Sequence, residues 1–272
     1  MKKYSLFLIM LLGILIFAGC EDPEGALYSG EPNKVGFLGS STNQVMGDGP
    51  IKVPIGRTSI EGDYSVSVDL SATGVGYTDV FNAGQAQFSN GSAKTYVEVT
   101  YTNLATIDPS TLSISAIGMD VNVGLAYPFK LTVSDDAVSQ SGKKSINVLA
   151  SNALEFESIG NAVLNSNAGW WGGETEDDYL SIEIHKAEGV NVYKLISPFG
   201  FNNFAFMIKA DNSILMPDQI IYDFGSSGYG PVTMSSVTGK YDPENNTVTL
   251  NVGAYTVSAG SFGGGIEIIY LP

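Results

Sequence analysis

Tyr64-Ser65-Val66-Ser67-Val68-Asp69-Leu70 alternates strictly, with Tyr64, Val66, Val68 and Leu70 on one face of an extended chain and small or polar residues on the other. Tyr96-Val97-Glu98-Val99-Thr100-Tyr101 repeats the pattern, with Val97, Val99 and Tyr101 inward. A period of two with one wet face marks a half-buried antiparallel strand. Shorter runs continue the scheme at Val35 to Leu38, Ile51 to Ile55, Ala86 to Phe88, Leu112 to Ile114 and Phe129 to Val133. Gly47-Asp48-Gly49-Pro50, Glu61-Gly62-Asp63, Asn90-Gly91 and Asp108-Pro109-Ser110 separate them as turns. Seven short strands at this spacing predict an immunoglobulin-like sandwich over residues 33–137.

Outward from that block the character changes. Ser139, Ser141, Gly142, Lys143, Lys144 and Ser145 form a polar run, read as a boundary and linker over residues 138–153, although Ile146-Asn147-Val148-Leu149 could pair as a last strand. From Leu154 the alternation resumes in Leu180 to His185, Val192 to Ile196, Phe204 to Ile208, Ile220 to Phe224 and Ile266 to Tyr270. Lys240-Tyr241, the turn Asp242-Pro243-Glu244-Asn245-Asn246 and Thr247 to Val252 read as a hairpin. No stretch carries sustained helical spacing of apolar residues. The expected fold is therefore all-β, two tandem antiparallel domains, with residues 154–272 forming a second β-sandwich or small β-barrel.

The chain opens on Met1-Lys2-Lys3, an apolar run from Leu6 to Phe17, and Ala18-Gly19 before Cys20. This is the layout of a secretory signal over residues 1–19, too short to span a bilayer. Cys20 is the only cysteine, which excludes a disulfide framework and cysteine metal clusters from the mature domains. Residues 20–32 read as a tether that starts with the acidic Glu21-Asp22-Pro23-Glu24. Without residues 1–19 the chain has 11 basic and 28 acidic residues, a formal charge of −17 on 253 residues. Such a surface repels phosphate backbones and excludes nucleic acid as a natural partner; it suits uncharged glycans or divalent cations.

Phe17-Ala18-Gly19-Cys20 resembles the lipobox of bacterial lipoproteins, in which the cysteine is acylated, and the acidic stretch after it is similar to the export signal of Bacteroidetes-type surface lipoproteins. The resemblance implies lipid attachment at Cys20 and an outer-membrane location facing the cell exterior. Phe88-Ser89-Asn90-Gly91-Ser92-Ala93-Lys94-Thr95-Tyr96-Val97-Glu98-Val99 resembles the immunoglobulin-like, Calx-beta-like modules that follow the anchor in such proteins. Phe156 to Ala162, Val192 to Gly200 and Gly239 to Asp242 are similar to the β-rich modules paired with them in accessory lipoproteins of polysaccharide utilisation. Implied partners are the membrane, a glycan and other outer-membrane uptake proteins.

His185 is the only histidine, so Ser-His-Asp, Cys-His and multi-histidine metal sites are excluded. Its strand turns Leu180, Ile182 and Ile184 inward and His185 outward with Glu183 and Ser181. Glu174, Glu176, Asp177 and Asp178 are the carboxylates a glycoside hydrolase would need, but they share one loop, whereas acid and base must flank a cleft. The chain is therefore expected not to be an enzyme, with a carboxylate-dependent glycoside hydrolase as the lesser alternative. No cofactor is required. The same four residues could supply oxygens to calcium, with Asp135-Asp136 as a second contributor.

Trp170-Trp171, the only tryptophans, lie between Gly169 and Gly172-Gly173. Glycines beside an indole let a flat ligand approach, and sugar rings stack on aromatic faces. Phe199-Gly200-Phe201-Asn202-Asn203 reads as a loop whose two phenylalanines could line a groove beside the tryptophans, with Asn202 and Asp177 as polar contacts. Phe204 and Phe206 alternate as core residues, and Tyr222, Tyr229 and Phe262 are further aromatic candidates. The functional expectation is an accessory glycan-binding component of a polysaccharide-uptake system; the alternative is a structural or adhesive surface subunit without small-ligand binding.

Overall fold

The computed structural model describes residues 33–72, 80–109, 112–117, 122–170, 172 and 179–272. Cys20 and residues 21–32, read above as a tether, lie outside them. Among the described residues eleven strands form the first half: β1 (Val35–Phe37), β2 (Ser41–Val45), β3 (Ile51–Arg57), β4 (Tyr64–Val66), β5 (Asp69–Ala72), β6 (Phe81–Ala83), β7 (Ala86–Phe88), β8 (Lys94–Tyr101), β9 (Ser113–Ile117), β10 (Asn122–Thr132) and β11 (Ser145–Ala153). One sheet runs β1-β3-β8-β6, and the sheet that faces it runs β2-β11-β10-β5, with β9 also on β10. All pairs are antiparallel except β2 with β11. Val53, Ile55, Val97, Val99, Phe81, Phe129 and Leu131 fill the space between the sheets and are fully buried.

The stretch Tyr64 to Leu70 keeps its predicted faces but is not one strand. β4 pairs with β7, whereas β5 pairs with β10 in the other sheet. The break at Ser67 and Val68 lets the chain cross the sandwich while Val66 and Val68 both stay buried. Residues 138–153 do not form a linker throughout. Only the polar part turns, and Ile146, Val148 and Ala150 point inward from β11, which pairs along its whole length with β10. The last-strand alternative is the right one because those apolar residues alternate.

Arg57, at the end of β3, is buried at one corner of this sandwich. Its Nε donates to Ser92 O at 2.7 Å, Nη1 to Gly62 O at 2.9 Å and Nη2 to Ser89 O at 2.9 Å. The guanidinium also lies 5.3 Å from the Phe88 ring centroid. Three carbonyl dipoles and a π face spread the charge where no carboxylate is needed.

The second half holds β12 (Phe156–Ala168), β13 (Leu180–Ala187), β14 (Val192–Leu195), β15 (Phe204–Ile208), β16 (Ile214–Leu215), β17 (Gln219–Asp223), β18 (Pro231–Ser235), β19 (Thr238–Asp242), β20 (Thr247–Val252), β21 (Ala254–Val257), β22 (Gly260–Ser261) and β23 (Gly265–Tyr270). Eight of them run β16-β15-β14-β13-β12-β23-β20-β19. The two edges meet: Ser213 bridges Lys240, and Tyr241 N donates to Asn212 O at 2.8 Å. The sheet is therefore a nearly closed barrel, which removes most of its exposed edge. A smaller sheet, β17-β18-β21-β22, packs Ile221, Val232, Met234 and Tyr255 onto the barrel core of Leu164, Ile184, Leu195, Phe204, Phe206, Leu250 and Ile269. Besides strands, the described residues hold short 3₁₀ turns, such as Leu104–Thr106 and Gly225–Ser227, and no α-helix.

Antiparallel order gives the barrel two chemically distinct ends. The start of β12 and the β13–β14 turn lie at one end, and there Phe156, Ala187, Val190, Val192 and Met207 join the hydrophobic cluster of the first half. β15 is consequently buried on both faces, with Phe204 and Phe206 inside the barrel and Ala205 and Met207 in the cluster shared with the sandwich. The end of β12, the β14–β15 loop and the start of β23 lie at the other end, beside the small sheet.

Candidate functional site

At this far end, Gly169 and Trp170 follow directly on β12. The half-buried Trp170 ring packs against four others, with centroids at 6.1 Å to Tyr222, 5.9 Å to Phe224, 5.4 Å to Tyr255 and 5.5 Å to Phe262. Phe224 in turn contacts Tyr229 at 5.6 Å and Phe262 at 5.9 Å, while Tyr222 contacts Phe201 edge-on at 6.2 Å. Seven rings from separate segments thus form one patch around the barrel mouth. Phe201, Tyr229 and Phe262, each 47% exposed, are its outer members. Large apolar rings gathered and left open mark an interaction surface, because a contiguous patch loses hydration energy that scattered exposure does not.

Underneath the rings lies a buried acid. Glu267 sits on β23 in phase with the inward Ile269, between the exposed Ile266 and the half-covered Ile268. Its Oε1 accepts the Trp170 backbone N–H at 2.7 Å and the Tyr255 hydroxyl at 2.5 Å, while its fully buried Oε2 has no partner. Burial pushes this carboxyl above the usual carboxylate range, against the opposing pull of hydrogen bonds from Ser166, Tyr255 and the Trp170 N–H. The Tyr255 hydroxyl is raised too, first by burial and then by the Glu267 charge and hydrogen bond. Gly169 is required for this contact: a Cβ there would stand 2.1 Å from Glu267 Oε1 and 2.8 Å from Ile266 O.

The structure sorts the residues singled out from the sequence. Trp170 and Phe201 belong to the patch, and so do Tyr222, Tyr229 and Phe262. Phe199 does not line a groove: it is 4% exposed and stacks on Phe204 at 6.1 Å inside the barrel core. The positive φ of Ser197 and Gly200 bends the loop so that only Phe201 is turned out. Asn202 is half-buried, and its Nδ2 donates to Ile220 O at 3.0 Å, which fastens the loop to β17. Trp171, Asp177 and the calcium candidates Glu174, Glu176 and Asp178 lie outside the described residues. Asp135 is paired with Lys144, with Nζ to Oδ1 at 2.6 Å. Among the described residues no three His, Cys, Asp or Glu side chains converge as a metal would need. His185 faces outward and bonds Glu183, Nε2 to Oε1 at 2.9 Å.

Sequence reasoning missed Phe224, Tyr255 and Glu267 as site residues, and read Gly169 as room for a ligand where the structure uses it to admit the Glu267 carboxyl. One signal for Glu267 was available: in Ile266-Glu267-Ile268-Ile269 the carboxylate occupies a position in phase with an inward isoleucine. Five of the seven rings were candidates from the sequence, but nothing in it said that they would meet, since they come from well-separated stretches of the chain.

No family model matches the chain. No curated protein matches it either. Among solved structures it is similar to a protein of unknown function from Bacteroides ovatus, at 8% identity and a TM-score of 0.32, covering 87% of this chain and 93% of the other. A two-domain protein with unknown function from Bacteroides fragilis matches at 12% identity and a TM-score of 0.30, covering 87% and 83%. A calcium binding domain, CBD12 of CALX1.1, matches at 12% identity and a TM-score of 0.29, covering 60% and 78%. Scores this low carry no functional argument. The chain is an all-β protein on the evidence of its own strands.

Proposed function

We propose that this chain is a lipid-anchored surface protein that binds neutral glycans at the mouth of its barrel, as an accessory component of a polysaccharide-uptake system. The observation that carries the reading is the outer trio Phe201, Tyr229 and Phe262, held open around Trp170. A pyranose presents apolar C–H groups to an aromatic face, and a row of rings suits such a partner better than a charged one. The net negative chain disfavours an anionic ligand as well. The mouth also lies at the end of the barrel opposite the one that packs on the first domain, so a tether running from that domain to Cys20 would leave it facing away from a membrane.

A screen of the mature protein against soluble neutral polysaccharides is expected to find a ligand whose retention falls in Phe201→Ala and Phe262→Ala while circular dichroism stays unchanged. Equal retention by both variants would remove the mouth as the site. Separately, Cys20→Ser is expected to move the protein from the membrane to the soluble fraction.

A structural or adhesive subunit is the second reading. It is favoured by β2, which pairs on one side only among the described residues, ends on the exposed Val45 and follows the exposed Leu38. Concentration-dependent assembly in sedimentation, with no glycan retained, would support that reading over the first.

A further inference from the structure

We propose that Glu267, with donors converging on Oε1 and a dry Oε2, is the positioning residue of the barrel mouth in its neutral acid form, and that its ionisation loosens Trp170 and Tyr255 and so weakens the ring platform. The consequence for binding rests on the glycan reading above; the protonation state and its local effect do not.

The geometry distinguishes the two oxygens. The Trp170 N–H at 2.7 Å and the Tyr255 hydroxyl at 2.5 Å both converge on Oε1, and the Ser166 hydroxyl also acts on the carboxyl, while the buried Oε2 is left without a partner. A carboxylate has two equivalent oxygens, each demanding solvation. A carboxylic acid has one carbonyl oxygen that accepts and one hydroxyl, and an unmatched hydroxyl in an apolar site costs far less than an unmatched charge. The convergence on one oxygen therefore fits the acid, and the buried environment favours the neutral form.

The surroundings offer the charged form little. On β21 the facing titratable group is Tyr255. β12 and the turn after it offer the Ser166 hydroxyl and the Gly169-Trp170 backbone, and the cross-strand partner on β20 is Leu250. None of these is a cation. Once Glu267 ionises, Oε2 needs water, and Gly169 and Trp170, which lie against the carboxyl, are the segment that must yield to admit it. Trp170 and Tyr255 are the two rings that the acid holds, and Trp170 contacts Tyr222, Phe224 and Phe262. Water entering beneath them would move the floor on which the outer rings rest.

The test is the pH dependence of the Trp170 backbone amide in nuclear magnetic resonance spectra of the mature protein, with the infrared carbonyl band of protonated carboxyl groups as a second readout. At neutral pH, where exposed carboxyls with pKa values of about 4 are ionised, wild type is expected to retain one protonated-carboxyl band that Glu267→Gln lacks. The Trp170 amide is expected to shift as pH is raised through the Glu267 transition in wild type and to stay flat in Glu267→Gln. Tyr255→Phe, which removes a donor to Oε1 and keeps the ring, is expected to move the transition to higher pH, and it decides the matter if the glutamine variant does not fold. Absence of the band at neutral pH, the same amide titration in Glu267→Gln, or an unmoved midpoint in Tyr255→Phe would each overturn the proposal. Where a glycan is retained, its binding should weaken severalfold across the same transition in wild type only. A protein that retains no glycan but shows the band and the amide shift would sink the binding reading and leave Glu267 as assigned.

Discussion

The corner of the sandwich and the mouth of the barrel each bury an ionisable side chain, and they do so in opposite ways. Arg57 places three nitrogens on three carbonyl oxygens and lays its guanidinium over Phe88. Glu267 loads one oxygen and leaves the other bare beneath a patch of half-covered rings. The first arrangement satisfies its group and ties two turns together, which is the behaviour of a structural staple. The second tolerates an unsatisfied atom next to an open aromatic surface. A buried polar group left short of partners is retained most readily where something other than stability is selected, so the difference separates scaffold from site.

That contrast can be broken by measurement. Arg57→Ala should give the largest effect, because it takes the guanidinium donor from the Ser92 and Gly62 carbonyls, leaves Ser89 O with only the Ser92 N–H, and removes a packed side chain; about 3 kcal/mol is expected in denaturant unfolding. The loss should not depend on pH, and the Trp170 amide should be unmoved. Gly169→Ala comes next. Its methyl group would collide with Glu267 Oε1 and with Ile266 O, so about 2 kcal/mol of overpacking strain is expected. In this case the Trp170 amide should shift, since the residue next to it must move.

A third measurement concerns the pH dependence of stability. Glu267 has a folded-state pKa above its unfolded value of about 4.3. The native state therefore holds the proton more tightly, and stability falls as pH rises from the unfolded value to the folded one, after which it is level. The slope in that window is at most about 1.4 kcal/mol per pH unit for one group. Glu267→Gln should remove it, so the difference between variant and wild type should move in the variant's favour with rising pH; parallel curves would contradict a raised pKa. The smallest effects belong to the outer rings. Phe201→Ala or Phe262→Ala should each cost about 0.5–1.5 kcal/mol of ligand affinity, up to roughly tenfold in Kd, with unfolding midpoints nearly unchanged.

Much of the architecture was legible from side-chain period. Ile51 to Ile55, Ala86 to Phe88, Phe204 to Ile208 and the Thr247 to Val252 arm of the hairpin lie in strands as read. Phe204 and Phe206 are core, and His185 faces out. The site was legible only in part. Trp170 and Phe201 stood out as aromatic residues beside glycine, but the same cue brought in Phe199, which the loop turns into the core.

Sequence by itself determined which side chains share a face, where the chain turns, and that Cys20 is its only cysteine, because these depend on residue type and on neighbours a few positions away. Tertiary structure alone decided that Tyr64 to Leu70 would be divided between two pairings, that β15 would be buried on both faces with Ala205 and Met207 against the first domain, and that seven rings would meet at one mouth over Glu267. A period of two says that a residue faces a sheet's neighbour but not which neighbour arrives, and barrel closure brings together residues whose separation along the chain carries no local trace.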